Sequence, residues 1–240
     1  MEGWSDPPAG ARTVERIPHL GDCDRTGALR LDALVGFLQD IAGDDARSRG
    51  GDDGIAWLVR RIDLEVVARP RALTPLTVTT WASGHGAAWA ERRTRVTTAA
   101  GAVVAEAATI WAAVSTETFA PVRLDRGGIE QWGEAAQRRV DARLRLPAPP
   151  VDGLREPWPP RVTDFDAYGH VNNAVYWAAV EGALDGWVGP GALGRATLEF
   201  RDGIAWGEAA DLVVGTDDAL TLWFLVADRV AATARFTPGV

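Results

Sequence analysis

One stretch of this 240-residue chain repeats another, and the repeat constrains the fold more than any other feature of the sequence. Residues 164–176 read DFDAYGHVNNAVY, and residues 22–30 read DCDRTGALR, 142 positions earlier. The earlier copy has Ala28 where the later copy has His170. A scaffold that occurs twice, with a reactive side chain in only one copy, predicts a duplicated fold with a single active centre.

Two further matches extend the repeat along the chain. Residues 63–67 match residues 197–201 at an offset of 134, and residues 104–109 match residues 230–235 at an offset of 126. Each drop of eight residues predicts a loop that is shorter in the second copy. The two longer loops of the first copy are predicted at 43–54 and 97–101.

Both copies predict one helix followed by a series of strands. Apolar residues recur at helical i, i+3, i+4, i+7 spacing from Leu31 to Ala42 and from Tyr176 to Trp187, where Gly189-Pro-Gly stops the pattern. Short turns between the later runs favour antiparallel pairing, so the chain is predicted to be α+β, with a sheet wrapping a central helix in each copy. The strand-like runs lie at 57–67, 75–83, 88–97, 103–114, 195–204, 210–216, 220–227 and 230–236.

Composition excludes several classes of function. The net charge of −8 argues against a general nucleic-acid binder, and the absence of lysine excludes Schiff-base chemistry. The only cysteine, Cys23, permits neither an intramolecular disulfide nor a cysteine-based zinc site. No run of 18 apolar residues predicts a membrane span, and the N-terminus lacks the regions of a signal peptide, so we expect a cytoplasmic protein.

Chemistry-bearing side chains concentrate before the second helix, which is predicted to begin near Asn172 or Asn173. Asparagine is a good N-cap, and Gly169 permits a close approach of substrate to the main chain. First-turn amides without helical partners would stabilise an oxygen that acquires negative charge. Asp166 and His170 would supply a base and a proton donor beside them. These parts predict hydrolysis of an activated acyl group by water.

The motif resembles that of the fatty acyl-acyl carrier protein thioesterases of plants and bacteria, which are tandem hotdog proteins. The family pattern DxDxxxHVNNxxY matches residues 164–176, and the resemblance covers roughly 13–237. It implies two hotdog domains paired as a pseudo-dimer: a catalytically disarmed, substrate-binding domain at 1–125, a linker at 126–160 and a catalytic domain at 161–240. First-half segments that carry the resemblance are WLVRRI from Trp57, TWASG from Thr80, Arg92-Arg93 and Ile110-Trp111.

The resemblance assigns the family's catalytic aspartate to Asp166 and its histidine to His170. Plant members have asparagine at the position of Tyr168, and a Glu-Cys pair where this chain has Gly203 and Ile204. A cysteine nucleophile is therefore absent at that position. We expect Asp166 to act as a base for water or as a transient nucleophile.

The remaining motif residues divide between catalysis, substrate contact and structure. Asn172, which is Arg30 in the first copy, is predicted to be the third catalytic residue. The predicted substrate contacts are Tyr168, Gly169, Val171 and Asn173. Asp22, Asp24 and Asp164 are expected to brace the turns, Tyr176 to lie in the core, and Cys23, His19 and His85 to have no catalytic role. Glu181 could assist water or could lie in solvent.

The predicted activity is hydrolysis of fatty acyl-acyl carrier protein, with no cofactor and no metal. The expected partner is acyl carrier protein, with no nucleic acid and no membrane, and the expected oligomeric state is a monomer or a homodimer. Three alternatives stay open: an acyl-CoA thioesterase, a hotdog hydratase or dehydratase, and a non-catalytic acyl-binding protein. Candidate contacts to the acidic carrier or its phosphate are Arg138, Arg139, Arg143, Arg145, Arg47, Arg49, Arg60 and Arg61.

Overall fold

A single antiparallel sheet runs through both halves of the chain in the computed structural model, which describes residues 4–48, 54–189, 194–216 and 219–238. The helices are α1 (Leu31–Ser48), α2 (Arg126–Gln131) and α3 (Val175–Trp187). The strands are β1 (Arg12–Arg16), β2 (Ile55–Val66), β3 (Leu76–His85), β4 (Trp89–Thr98), β5 (Val103–Ser115), β6 (Arg155–Pro157), β7 (Gly194–Phe200), β8 (Asp211–Thr216), β9 (Leu220–Val226) and β10 (Arg229–Pro238).

The strand order, β1-β3-β4-β5-β2-β7-β10-β9-β8-β6, joins two equivalent five-stranded halves through β2 and β7. Asp63 pairs with Thr197 in this central ladder, flanked by Arg61 with Glu199 and Glu65 with Arg195. A twofold axis through the first of these pairs relates residues 134 positions apart. The register therefore confirms the predicted offset of 134 and the tandem hotdog pseudo-dimer.

The third sequence match was wrong by one residue. Glu106 pairs with Glu65, and Thr233 pairs with Glu199, so the offset between β5 and β10 is 127 rather than 126. The difference matters because a shift of one residue in a strand exchanges its two faces. Alanine-rich runs such as those at 104–109 and 230–235 fit either register equally well by composition.

The second predicted loop difference was also misplaced. Thr80 pairs with Thr94 in the first half, 14 residues on, whereas Val214 pairs with Leu222 in the second half, eight residues on. Most of the extra length of the first half thus lies in the β3–β4 hairpin and not near 97–101. Both hairpins are antiparallel ladders, so the longer one simply extends its strands.

The first predicted loop, 43–54, is partly helical. Helix α1 continues to Ser48 and is 18 residues long, against 13 for α3. Asp44 bonds to Arg47 at 2.7 Å along the helix, and Asp45 is buried beneath it, so the polar composition of this stretch does not end the helix. Residues 49–53, like Pro190 and Gly191 of the predicted stop after α3, lie outside the described residues.

The other predicted elements are confirmed within a few residues, with one correction. Strand β7 ends at Phe200, not at residue 204, because the chain turns away to bond with the motif loop. Strands β1 and β6 and helix α2 were not predicted. The last two lie in the 126–160 segment, where β6 pairs with β8 at the sheet edge.

Helices α1 and α3 lie against the sheet and contact each other, and one apolar core spans both halves. Tyr176 is fully buried, as predicted, with its ring centroid 5.1 Å from that of Phe200 and 4.9 Å from that of Phe224. Burial raises the pKa of the Tyr176 hydroxyl, so this ring stays neutral. Within the described ranges, no helix is long and apolar enough to cross a membrane.

Candidate active site

The segment before α3 is a tight turn that Asp166 organises. The amide N–H of Asp166 donates to the carbonyl of His170 at 2.8 Å, and that of Gly169 donates to the carbonyl of Asp166 at 3.0 Å. The carboxylate oxygen Oδ1 of Asp166 accepts the amides of Tyr168 at 2.9 Å and His170 at 3.3 Å. Gly169 has φ of +76°, a conformation that favours glycine.

The first copy makes the same turn, which confirms the offset of 142. The amide of Asp24 donates to the carbonyl of Ala28, and Asp24 Oδ1 accepts the amides of Thr26 and Ala28 at 2.7 and 3.0 Å. Gly27 has φ of +83°. One oxygen of each aspartate therefore serves the turn itself. Only the second copy has a histidine, His170, four residues after its aspartate, where the first copy has Ala28.

Asp164 braces the base of the second-copy turn, residues 164–173, which we call the working turn. Its side chain is buried, and its carboxylate accepts the backbone amide of Arg161 at 2.8 Å and the guanidinium of the same residue. Its carbonyl accepts the amide of Asn172 at 2.8 Å. Asp22 makes the equivalent bond to the amide of His19 in the first copy, at 2.8 Å. The two acids fit the bracing role expected of them.

The start of the helix differs from the prediction. Helix α3 begins at Val175 with Ala174 as its cap, so neither Asn172 nor Asn173 is the N-cap. Asn172 Oδ1 instead accepts the amide of Ala174 at 2.9 Å, and its carbonyl accepts the amide of Val175 at 2.9 Å. A short turn thus precedes the helix and uses amides that were predicted to be unpaired. The side-chain amide group of Asn172 becomes the better candidate donor to an oxyanion.

His170 lies over Gly203, and this contact explains a departure from the family pattern. A Cβ added at Gly203 would approach His170 Cδ2 to 2.6 Å. The plant-type glutamate cannot occupy this position while the imidazole stays where it is. Ile204, which stands in place of the plant-type cysteine, is fully buried, and its carbonyl accepts the amide of Val171 at 2.9 Å. The exposed imidazole of His170 is thus seated by a glycine and not by an acidic side chain.

A cavity of about 940 Å³ opens beside this turn, and most of its wall comes from the first half and the linker that follows it. Tyr168 is the single wall residue from the working turn, and its side chain is 69% exposed. Gln39 of α1 also lines the cavity, and its Nε2 lies 3.4 Å from Asn172 Oδ1. The chemistry of one half therefore meets the cavity of the other across the twofold axis.

The cavity runs along the C-terminal half of α1 and beneath the β3–β4 hairpin. Ala42, Gly43 and Ala46 supply small residues on the helix side, so the space is not filled from there. Trp57 and Trp132 bound it, with ring centroids 6.1 Å apart. The remaining wall residues are Ile55, Ala56, Ala82, Ala90, Glu91, Arg92, Trp111, Arg123, Leu124, Asp125, Gly127, Ile129 and Gln131.

A buried ion pair crosses the helix–sheet layer at this cavity. Arg92 Nη1 of β4 lies 2.9 Å from Asp45 Oδ2 of α1, and both side chains are largely buried. Arg92 also donates to Thr80 Oγ1 at 3.3 Å. An alkyl chain that reached this pair would have to displace or desolvate it, at a cost in free energy.

Other candidate residues have definite places. Val171 lies in the apolar core at 3% exposure, and Asn173 is partly buried at the start of the turn before α3. Burial, together with the negative charges of Asp22 and Asp24, raises the pKa of the Cys23 thiol, so Cys23 stays protonated as a core residue.

Glu181 is part of an inter-half contact and is not at the working turn. Its Oε2 accepts the amide of Leu31, the first residue of α1, at 2.7 Å, and its Oε1 accepts the guanidinium of Arg69. Arg69 in turn donates to the carbonyl of Leu29 at 2.7 Å. Both carboxylate oxygens of Glu181 are thereby used in holding first-half residues against α3.

Several arginines expected to meet a carrier are held in the fold. Arg61 bonds to Asp63 at 2.9 Å and donates to the carbonyls of Asp141 and Arg143, and Arg138 pairs with Glu91. The side chains of residues 139, 143 and 145 are exposed. Arg49 lies outside the described residues. No group of three or more histidine, cysteine, aspartate or glutamate side chains in the described part of the chain could hold a metal ion.

Sequence reasoning missed Gln39 and the role of Gly203. Gln39 lies 142 positions before Glu181, so the repeat offset carried a signal that this helical position faces the opposite turn. Gly203 was noted only as a departure from the family. Its steric role depends on the ring position of His170, which no sequence pattern contains.

Comparisons with known proteins show which family the chain belongs to. Residues 16–128 match the family model for the acyl-ACP thioesterase N-terminal domain, and residues 149–220 match that for the C-terminal domain. Two strains of Mycobacterium tuberculosis each have an uncharacterized protein that is 30% identical over 216 residues, which is 89% of this chain and 86% of the relative.

Solved structures share the fold over nearly the full chain. An acyl-ACP thioesterase from Bacteroides thetaiotaomicron has a TM-score of 0.81 at 17% identity, covering 94% of this chain and 96% of that one. The 12:0-ACP thioesterase from Umbellularia californica has a TM-score of 0.79 at 18% identity, covering 98% and 100%. The two family models together span most of the residues, including the working turn and most of the cavity wall. The chain therefore belongs to the acyl-ACP thioesterase family of thioester hydrolases.

Proposed function

We propose that this thioesterase releases free fatty acid from acyl carrier protein, with water attacking at the working turn of the second half and the acyl chain lying in the cavity of the first half. The observation that carries the proposal is that Tyr168 and Gln39 both line a cavity of about 940 Å³, and that Gln39 contacts Asn172 at 3.4 Å. That volume lies at the upper end of the range typical of small-molecule sites.

In the proposed mechanism, the thioester carbonyl lies beside the side-chain amide of Asn172. Asp166 takes a proton from water through its second carboxylate oxygen, and the water oxygen bonds to the carbonyl carbon. The resulting oxyanion accepts hydrogen bonds from Asn172. When the carbon–sulfur bond breaks, His170 gives a proton to the departing thiolate. Direct attack by Asp166, followed by hydrolysis of the anhydride, is the alternative route.

The division of labour follows the two copies of the repeat. Residues 1–125 bind the acyl chain, residues 126–160 link the halves and cover one end of the cavity, and residues 161–240 perform the chemistry. The backbone at Gly169 and Asn173, with the ring of Tyr168, contacts the thioester end of the substrate, and Val171 supports this contact from the core. No bound cofactor or metal is needed for this reaction.

The proposed partner is acyl carrier protein in the cytoplasm, contacted by exposed arginines around the linker such as Arg139, Arg143 and Arg145. The pairing of β2 with β7 supplies inside one chain the contact that two separate hotdog chains would make. We therefore propose that a monomer is a complete catalytic unit, whether or not two chains associate further.

The test is turnover of a panel of acyl carrier proteins loaded with different chain lengths, measured for the wild type and for Asp166→Asn, His170→Ala and Asn172→Ala. We expect Asp166→Asn and His170→Ala to lower kcat by about 10²–10⁴-fold, the contribution typical of a positioned acid or base. Asn172→Ala should lower kcat by about 10²–10³-fold, the contribution typical of one oxyanion donor. Asp24→Asn, the same change in the first copy, is the matched control and should keep kcat. Unchanged hydrolysis by Asp166→Asn and His170→Ala would overturn the assignment of the site.

The carrier is tested separately by presenting the same acyl chain on carrier protein and on coenzyme A. Higher kcat/KM on the carrier protein supports the proposed partner, and the reverse order identifies an acyl-CoA thioesterase. Assays with 3-hydroxyacyl and enoyl thioesters test the hydratase alternative. Acyl binding without release of thiol would instead indicate a non-catalytic acyl-binding protein.

A further inference from the structure

Gln39 occupies the position in the working site that Glu181 occupies in the disarmed site. Gln39 on α1 and Glu181 on α3 are 142 residues apart, the offset of the two turns, and each reaches across the twofold axis to the turn of the opposite half. Glu181 bonds to the amide of Leu31, directly after the first turn. Gln39 bonds to Asn172 in the second turn, at 3.4 Å.

The bond from Gln39 adds a second constraint on which way the Asn172 amide faces. Asn172 Oδ1 accepts two donors, the backbone amide of Ala174 at 2.9 Å and Gln39 Nε2. A side-chain amide has one oxygen and one NH₂ group, so fixing the oxygen against these donors turns the NH₂ group away from them. Without Gln39, the backbone amide of Ala174 would be the one remaining donor of these two that holds the Asn172 oxygen in place.

We propose that Gln39 is a positioning residue, supplied by the first half, that orients the NH₂ group of Asn172 toward the thioester carbonyl oxygen. The inference rests on the proposed hydrolytic role of Asn172 and adds a residue that lies in the other copy of the repeat. Gln39 also lines the cavity, so it lies where the acyl chain and the reacting carbonyl meet. A glutamate at this position would accept from the Asn172 NH₂ group and turn the amide over.

The test compares kcat and KM for Gln39→Met, Gln39→Glu, Asn172→Ala and the double variant Gln39→Met/Asn172→Ala. Methionine keeps the length and volume of the side chain but cannot donate. We expect Gln39→Met to lower kcat about tenfold with KM within about twofold, because the interaction acts on the transition state. Gln39→Glu should lose more, since it favours the inverted amide.

The double variant separates positioning from structure. If Gln39 acts through Asn172, Gln39→Met should cause no further loss once Asn172 is alanine. Equal losses in both backgrounds, an unchanged kcat in Gln39→Met, or a loss confined to KM would each overturn the inference. Glu181→Gln is the matched control from the disarmed side, and it should lower the melting temperature while keeping kcat.

A second readout does not depend on turnover. In ¹⁵N-labelled protein, the side-chain NH₂ resonances of Asn172, identified by their loss in Asn172→Ala, should shift in Gln39→Met and stay in place in Glu181→Gln. Unshifted resonances in Gln39→Met overturn the inference whatever the activity. A folded wild type without turnover on any acyl thioester contradicts the proposed function, and the resonances then decide the positioning of Asn172 on their own.

Discussion

The two halves of this protein have the same scaffold but divide chemistry and space between them. In the working half, His170 lies over Gly203, and the side chain of Gln39 comes from the other half. In the disarmed half, Ala28 replaces the histidine and Arg69 stands at the position equivalent to the glycine. The equivalence follows from the hydrogen bonds, because the amide of Leu29 donates to the carbonyl of Pro70 as that of Val171 donates to Ile204.

Charged residues fill the disarmed site. Arg69 pairs with Glu181, which also bonds to the amide of Leu31, and Arg30 pairs with Asp32 at 2.8 Å. The corresponding residues of the working site are a glycine, an alanine and two neutral amides, namely Gly203, Ala174, Gln39 and Asn172. An active site must stay open for substrate, but the disarmed copy is free of that requirement. Its charged residues therefore form a contact that joins the halves.

The interiors of the two halves also differ: the second half is filled with aromatic side chains, and the first half contains the cavity. Tyr176, Phe200 and Phe224 fill the space between α3 and the sheet, whereas Leu34 and Val66 stand at the first-half positions equivalent to the first two. The first half also has the longer helix and the longer hairpin, and both extensions line the cavity. The half with the catalytic turn thus has a packed interior, and the half with the cavity has no histidine at its turn.

The largest expected effect comes from breaking the contact that replaced the lost site. Arg69→Met leaves the Glu181 carboxylate without its guanidinium partner, and both side chains are largely buried. Unfolding in urea should show a loss of about 3–5 kcal/mol, the range typical of removing one partner of a buried pair. The folded variant should keep the wild-type kcat/KM.

The control for Arg69→Met is Arg155→Met, which removes an exposed arginine paired with Asp228 at 3.2 Å and should change stability by less than about 1 kcal/mol. A similar small loss in Arg69→Met would mean that the two halves do not depend on this contact. A loss of kcat in the folded variant would mean that the disarmed site still influences the working one.

The next effect tests the glycine under the imidazole. Gly203→Ala adds a Cβ that meets His170 Cδ2 at 2.6 Å, so the ring must move. We expect kcat to fall about 10–100-fold, because small misplacements of a reacting group are costly. Gly182→Ala on α3, where the added Cβ meets no atom within 4 Å, is the control and should keep kcat. Equal kcat values for the two variants would contradict a seating role for Gly203.

The sequence could predict features that depend on local patterns of residues, but not those that depend on contacts between the two halves. The repeat and the hydrophobic periodicity were sufficient for α1, α3 and the main strands, because those features follow from local patterns. The pairing of the halves came from the family resemblance. The bonds of Asp166 and the φ of Gly169 follow from the motif itself. The cavity, the contact of Gln39 and the end of β7 depend on which side chains meet across the twofold axis, which local patterns do not encode.

A smaller effect should follow from narrowing the cavity of the first half. Ala46→Phe places a ring in the cavity wall of the first half, and we expect kcat/KM for the longest accepted acyl chain to fall about tenfold relative to shorter chains. About 1–3 kcal/mol is the discrimination that a single methylene in an apolar pocket provides. The measurement is the chain-length panel.

The paired change in the second half is Tyr176→Leu, which removes the central ring of the aromatic cluster. It should cost about 2–4 kcal/mol of stability and leave the order of preferred chain lengths unchanged. If the order changed here and not in Ala46→Phe, the acyl chain would lie in the second half, and the division between the halves would be reversed.

The smallest expected effect concerns the aspartate of the disarmed turn. Burial acts to raise the pKa of Asp24, but hydrogen bonds from the Thr26 hydroxyl and from the amides of Ala28 and Thr26 outweigh it, and the pKa lies below its usual value. The charged carboxylate therefore stabilises the fold at pH values above the unfolded-state pKa of about 3.9, and this stabilisation is lost as the pH falls through the lower folded-state value. The difference in unfolding free energy between wild type and Asp24→Asn should accordingly be largest near neutral pH and shrink below about pH 4. A difference that stayed constant from pH 7 to pH 3 would mean that the backbone bonds alone hold the turn. The carboxylate of Asp24 would then contribute nothing to the stability of the disarmed half.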